Sequence, residues 1–204
     1  MAPATLRRCV RHGLVVLFAF LAAAPALAQR GAMVLPRNLY QLTDRASDIL
    51  RGTVVSARVE KHPELTNLDT VVVTLRVTET LKGGAAGSFT FRQYIWDIRD
   101  RSDAAGYRKG QDLLLLLNAP TRYGLTTPVG VEQGRFRIEP DGKGGFTAMN
   151  GTANARLFDG LARSAAQGIA LTPAGASLVA KHRKGPIELG QLEDLIRAYG
   201  GVAR

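Results

Sequence analysis

The stretch TVVVTLRVTET, residues 70–80, decides the fold class of this chain. Its odd-numbered positions from 71 to 77 are all aliphatic, whereas the even-numbered ones are mixed, so one face of the segment is fully apolar. A period of two in a run rich in β-branched residues predicts a strand that covers a core with one face. The glycine pair that follows Lys82 ends the strand.

Similar patterns on both sides of this stretch predict six more strands. Five consecutive leucines, residues 113–117, lie between Gly110 and Pro120, which leave too little room for a helix, so we predict a strand buried on both faces. In residues 135–139 the arginines alternate with apolar side chains, which indicates a strand with one polar face. The predicted strands cover residues 53–60, 70–80, 88–92, 112–118, 127–133, 135–139 and 146–149.

Helical periodicity is confined to the ends of the exported part of the chain. Apolar steps of three and four predict a helix over residues 36–50. Residues 189–199 have an apolar face with Glu193, Asp194 and Arg197 opposite, and Gly200-Gly201 supplies the stop. Between them, residues 152–185 are rich in Ala, Gly and Ser, with one short helix expected around Phe158. Short strands joined by turn signals, with helices at both ends, favour a small barrel of five or six strands.

The first 28 residues have the layout of a cleaved signal peptide. Three arginines precede the apolar run 14–24, and Ala26-Leu27-Ala28 is a cleavage motif. The run is too short for a spanning helix, which needs about 20 apolar residues. We therefore expect export to the periplasm or the medium, with a mature chain that begins at Gln29 and has no transmembrane segment.

Removal of this segment would leave a basic chain without cysteine. The sole cysteine is Cys9, so no disulfide is available for the mature protein. Three of the 27 basic residues lie in the leader, which leaves 24 against 17 acidic residues, a net charge of +7. The basic residues are scattered among acids, which favours solubility over a dedicated polyanion site.

Several segments resemble the superfamily of netrin modules and tissue inhibitors of metalloproteinases. They are ASDILRGTVVS at 46–56, VTLRV at 73–77, LKG at 81–83, YRKGQ at 107–111 and the leucine run. The resemblance spans residues 39–139 and implies an OB-type barrel with terminal helices. The N-terminal cysteine that carries inhibition in that family has no counterpart here, so the resemblance implies the fold and not the activity.

The resulting expectation is a mainly β chain that forms a small closed or partly open OB-like β-barrel, with an N-terminal helix and a helical C-terminal tail. Residues 1–28 are the leader, 29–150 the barrel domain, and 151–204 an Ala/Gly-rich segment with an amphipathic helix that packs on the barrel.

No catalytic or cofactor motif stands out in the sequence. The mature chain has two histidines, His62 and His182, with no further ligand at helical or hairpin spacing, so we expect surface histidines and no metal. No cysteine nucleophile and no G-x-S-x-G motif are available. We expect no cofactor.

The segment YIWDIRDR, residues 94–101, is the best candidate site. It contains the sole tryptophan, and Tyr94, Trp96 and Arg92 are expected on one face at the end of a strand. Aromatic rings beside cations can stack on a sugar, a nucleobase or a peptide. The alternative is that Trp96 closes the open end of the barrel. The predicted ligand-binding residues are Arg92, Tyr94, Trp96, Arg99 and Arg101.

The function predicted from these features is a non-catalytic, exported binding or interaction module whose partner is a protein, a peptide or a glycan. One alternative is a hydrolase that uses carboxylates among Asp97, Asp100, Asp103 and Glu132. Another is protease inhibition without the cysteine. The residues Lys181, Arg183 and Lys184 form a basic cluster, which we interpret either as a weak contact site for anionic surfaces or as a solvated link into the last helix. Gln133-Gly134-Arg135 indicates a bulge or a tight corner.

Overall fold

A computed structural model describes residues 34–161 and 169–201 of the chain. The predicted leader lies outside the described residues. The helices are α1 (Leu39–Arg45), α2 (Pro173–Lys181) and α3 (Leu189–Gly200). The strands are β1 (Asp48–Lys61), β2 (Asp69–Lys82), β3 (Ser88–Tyr94), β4 (Asp112–Leu117), β5 (Arg135–Pro140), β6 (Phe146–Asn150) and β7 (Ile187–Glu188). The mainly β class and the helices near both ends of the described chain are as predicted.

All seven strands form one antiparallel sheet in the order β3-β2-β1-β4-β5-β6-β7. The sheet is not closed, because β3 and β7 are its edges. β1 is long enough to pair with β2 along its whole length and with β4 over residues 48–53. Three register shifts interrupt the β1–β2 pairing, and such bulges bend and twist a strand pair. The loop after β4 forms two isolated bridges. Its Pro128 pairs with Leu117 of β4, and its Leu125 pairs with Arg92 of β3.

The leucine run of β4 joins two hydrophobic cores. Leu114 and Leu116 face the first core, which the three helices cover together with β5 and β6. Leu113, Leu115 and Leu117 face the second core, formed with β1, β2 and β3. All five leucines are fully buried, as expected for a strand with apolar side chains on both faces. The predicted strand with two buried faces is confirmed.

The N-terminal helix is shorter than the predicted one. α1 begins after Asn38, whose side chain accepts from the N–H of Gln41 in a capping box, and ends at Arg45, with Ala46 as its C-cap. Residues 48–50 belong to β1 instead, and Ile49 and Leu50 enter opposite cores. A strand separates such neighbours to two faces, whereas a helix would keep them about 100° apart on one side.

Two other predicted elements are wrong. Residues 127–133 form turns with a short 3₁₀ segment, Val131–Gln133, in place of a strand. Residues 151–160 form successive turns in place of a helix, with positive φ at Ala153, Asn154 and Arg156. Asn154 holds these turns in place, since its buried amide donates to the carbonyls of Ala148 and Gly185. α2 was not predicted, because its Ala-, Gly- and Ser-rich sequence has little apolar period.

Helix α3 is confirmed together with its stop, since Gly201 adopts the left-handed conformation with φ of 64°. Its polar face differs most from the prediction at Glu193. Glu193 is 5 % exposed and lies over the sheet, where Arg51 of β1 donates to it. A buried carboxylate with a cationic partner can occupy a helix face that the sequence pattern marks as solvent-facing.

Candidate functional site

The predicted aromatic pair lies at the end of edge strand β3. Tyr94 is the last residue of the strand, and the ring of Trp96 lies 4.7 Å from its ring between centroids, at an interplanar angle of 60°. Trp96 is 58 % exposed and belongs to neither core. The alternative in which Trp96 packs into the end of a barrel therefore does not describe this structure. We call Tyr94 and Trp96 the ring pair.

Arg92 lies on the same sheet face as Tyr94, two residues earlier in β3. Its Nη1 donates to Thr70 Oγ1 at 2.7 Å, and its Nη2 lies 3.2 Å from Glu60 Oε2. The guanidinium thus ties β3 to β2 and β1. The pKa of Glu60 is lowered, first by its hydrogen bond from Arg58 and then by that from Arg92.

Arg99 and Arg101 lie in the 3₁₀ segment after the ring pair, Ile98–Arg101. Arg99 Nε donates to both oxygens of Asp97 at 2.9 Å, and Asp97 also accepts from the backbone N–H of Arg99. Arg101 Nε lies 3.5 Å from Asp69 Oδ2 on β2. The hydrogen bond from Lys61 is the main cause of the lowered pKa of Asp69, with a further contribution from the charge of Arg101. The structure therefore brings all five predicted residues to one end of β3, with each arginine beside a carboxylate.

The polar atoms of the ring pair remain accessible. Within the described part of the chain, neither the Trp96 indole N–H nor the Tyr94 hydroxyl makes a hydrogen bond. Burial raises the pKa of Tyr94, so its hydroxyl keeps its proton at neutral pH. The ring pair can thus stack on a ligand and still offer two donors.

Three of the four carboxylates proposed for hydrolysis have local structural partners, and the fourth, Asp100, is exposed. Asp97 caps the 3₁₀ segment, Asp103 accepts from the N–H of Gly106, and Glu132 accepts from Arg135. Capping of this kind stabilises turns, and it favours the binding hypothesis. Hydrolysis stays an untested alternative.

A buried polar network near the second core was missed by the sequence patterns. Arg135 of β5 was placed on a polar strand face, but it is 8 % exposed and its guanidinium lies 4.7 Å from the centroid of the Tyr107 ring. It donates to the Ala105 carbonyl at 2.7 Å and to Glu132 at 2.6 Å. The Tyr107 hydroxyl donates to Gln93 of β3, and burial raises the pKa of Tyr107 to about 12. This network fixes the loop that follows the candidate site.

Gln133 and Gly134, which precede Arg135 in the predicted corner, are not free to bind a ligand. Gln133 is buried and holds the segment before α1, because it accepts from the N–H of Arg37 at 2.7 Å and donates to the Leu35 carbonyl. Gly134 is enclosed by backbone of residues 116 and 129. Gly134 thus lies between a 3₁₀ segment and β5, and not between two strands.

The histidines are not the surface residues that the sequence indicated. His62 is 2 % exposed; its Nδ1 accepts from the N–H groups of Glu64 and Leu65, so Nε2 carries the proton and donates to the Tyr123 carbonyl at 2.9 Å. His182 is half-buried against Phe158, and burial is the main cause of its lowered pKa, followed by the charge of Arg183. In the residues with assigned structure, no group of three or more His, Cys, Asp or Glu is placed to hold a metal ion.

Because His62 organises the β1–β2 loop, we expect His62→Ala to lose about 2 kcal/mol of unfolding free energy, as two backbone donors and one carbonyl acceptor lose their partners. His62→Asn should recover about half of this, since an asparagine oxygen can accept from the same two N–H groups in an Asx turn. Urea denaturation measures both. Equal loss in the two variants would show that ring packing, and not the acceptor, stabilises the loop.

The basic cluster at the end of α2 is exposed. Lys181, Arg183 and Lys184 all face solvent, and Arg183 donates to the carbonyl of His182. Contact with anionic surfaces stays a prediction. None of the helices in the described ranges is long and apolar enough to cross a membrane.

Fold and site together define a mainly β protein with an open seven-stranded antiparallel sheet and a ring pair at the end of its edge strand, in which Trp96 is exposed. Comparison with models of protein families gives no match, and neither curated proteins nor solved structures match this chain.

Proposed function

We propose that this protein is a non-catalytic binding module that takes its ligand on the ring pair. The observation that carries the proposal is the exposure of Trp96, 58 %, in contact with Tyr94 at a strand end. Large aromatic side chains are normally buried, and an exposed tryptophan that contacts a second ring, with unused polar atoms on both, is a common form of binding surface. The Asp97–Arg99 contact and the Tyr107–Arg135 network hold the loop that follows the ring pair.

We also propose that the fold is an OB-like barrel related to netrin modules and that the chain is exported. The bent β1–β2 pair, the bridges from the loop after β4 and the terminal helices support the first statement. OB barrels bind ligands through a strand face and the neighbouring loops, and the ring pair occupies such a position. The leader-like first 28 residues support the second statement.

The experiment uses Trp96 as its own reporter, because it is the only tryptophan in the chain. Tryptophan emission of the mature protein is titrated with oligosaccharides, oligonucleotides and short peptides. We expect at least one class to change the emission, and Trp96→Ala to weaken the same ligand tenfold or more by calorimetry, because stacking on one ring contributes about 1–3 kcal/mol. Phe146→Ala is the matched control, since Phe146 is also exposed, at 48 %, but lies on β6.

Emission that no ligand class changes would contradict the proposal. So would equal weakening by Trp96→Ala and Phe146→Ala, because binding would then not depend on the ring pair.

A further inference from the structure

Each of the cations around the ring pair already has a carboxylate partner. Arg92 lies beside Glu60, Arg99 beside Asp97, and Arg101 and Lys61 both contact Asp69. A polyanion gains its affinity by pairing phosphates with available Lys and Arg side chains. Here it would have to displace these carboxylates first, so the charge distribution disfavours nucleic acid.

The strand edge beside the ring pair is also partly occupied. The N–H of Thr126 donates to the Arg92 carbonyl at 2.8 Å, and Leu125 forms a bridge with Arg92. An extended peptide that added a strand to β3 would need this edge. The loop after β4 therefore blocks the usual route of backbone pairing next to Tyr94.

What remains is an aromatic stacking surface rimmed by hydrogen-bonding groups. The C–H bonds on one face of a sugar ring carry partial positive charge and suit the negative face of an aromatic ring. Sugar hydroxyls can accept from the free indole N–H and exchange hydrogen bonds with the Tyr94 hydroxyl. Arg99, whose side chain is 62 % exposed beside Asp97, adds a planar donor for neighbouring hydroxyls.

We propose that the ring pair binds a neutral carbohydrate. This rests on the proposed function and narrows its ligand class. Binding then depends on ring stacking and hydrogen bonds and only weakly on ionic strength, because no net ion pairs form on association.

The test compares uncharged sugars with other ligand classes on the mature protein. The sugars are hexasaccharides of β-1,4-glucose, β-1,3-glucose, α-1,4-glucose and N-acetylglucosamine. A twelve-residue oligothymidylate and a proline-rich peptide are the comparison ligands. Tryptophan emission and calorimetry are recorded at 50 mM and 500 mM NaCl. We expect at least one sugar to bind with a dissociation constant that changes less than twofold between the two salt concentrations.

Two variants separate stacking from hydrogen bonding. Trp96→Ala should abolish measurable sugar binding, and Tyr94→Phe should weaken it about three- to tenfold while the ring remains. Arg137→Ala is the matched control on a distant strand, with an exposed side chain, and should leave sugar binding unchanged.

The outcomes distinguish this inference from the function on which it rests. If no sugar binds but the oligothymidylate does, with affinity that falls steeply in salt, the ligand class is wrong and the binding surface stands. If the peptide is the only ligand that binds, the ligand class is likewise wrong and the binding surface stands. If no ligand of any class perturbs Trp96, the proposed function fails as well.

Discussion

Gly134→Ala is expected to lose about 3 kcal/mol of unfolding free energy, because the added methyl has no room. A Cβ at this position would lie 2.6 Å from the Val129 carbonyl oxygen, 2.9 Å from the Val129 nitrogen and 3.0 Å from the Leu116 carbonyl oxygen. All three are backbone atoms, so no side chain can turn aside.

The crowded backbone atoms also hold the sheet together. Leu116 donates to the Gly134 carbonyl at 2.9 Å, and Val129 donates to the Leu116 carbonyl at 2.8 Å. Leu116 is fully buried in β4, which both cores share. A methyl at Gly134 would push apart the backbone groups whose hydrogen bonds connect β4 to the loop before β5. Gly134 has φ of −91° and ψ of 7°, which alanine adopts readily, so the expected loss is steric.

Gly84→Ala is the matched control for this prediction. A Cβ added at Gly84 would have no atom within 4 Å, and the φ of this residue is not positive, so we expect a change within about 0.5 kcal/mol. Urea denaturation of both variants measures the difference. A loss at Gly134 no larger than at Gly84 would mean that β4 and the loop can separate without cost.

The strands were predictable where the alternation of apolar residues is long, or where the segment between two helix-breaking residues is too short for a helix. β2 has four aliphatic positions at a period of two, and β4 is confined between Gly110 and Pro120. The helix over residues 36–50 was overextended because Ala46 and Ile49 continue a helical spacing. Three residues of strand are too few to reveal a change of period. The turns of residues 151–160 carry positive φ at non-glycine residues, and the hydrogen bond from Asn154 to the Gly185 carbonyl, which helps to hold them, joins residues 31 positions apart.

For the candidate site, the sequence predicted the residues but not their environment. Tyr94 and Trp96 are near neighbours in the chain, so their contact is local. The partners of Arg92 and Arg101, by contrast, lie on β1 and β2, and Glu60 is 32 positions from Arg92. Strand pairing creates these contacts, and without the register of the sheet the arginines look like free cations. Arg135 was misplaced for the same reason, because Tyr107, on which it packs, belongs to another loop.

The ion pairs beneath α3 lead to the second large effect, which we expect for Arg51→Ala. Arg51 Nη1 lies 2.9 Å from Glu193 Oε1, and its Nη2 lies 3.5 Å from Glu79, which also contacts Arg197. Burial raises the pKa of Glu193, and the charge of Arg51 is the strongest opposing effect. Without Arg51 the carboxylate stays buried and loses its closest cation, so we expect a loss of about 3 kcal/mol at pH 8.

The loss should depend on pH in a definite direction. The folded pKa of Glu193 lies above its unfolded value, and removal of Arg51 raises it further. Between the two pKa values the folded state holds a proton that the unfolded state has released, so stability falls as pH rises through this window. The difference between Arg51→Ala and the parent should therefore be smaller at pH 5 than at pH 8. Denaturation at both pH values measures it.

A second substitution distinguishes a buried charge from lost packing. Arg51→Ala combined with Glu193→Gln removes the unpaired carboxylate and should regain part of the stability at pH 8, because a neutral amide costs less to bury than a charge. Arg58→Ala is the matched control: its pair with Glu60 is exposed, and we expect a loss below about 1 kcal/mol. The contrary result is a double variant no more stable than Arg51→Ala, together with an equal loss of unfolding free energy in Arg51→Ala at both pH values. It would mean that the aliphatic part of Arg51 stabilises the helix on the sheet and that the charge of Glu193 does not contribute. Recovery at pH 8 alone would show that α3 is held over the sheet by a charge pair that its sequence pattern had assigned to solvent.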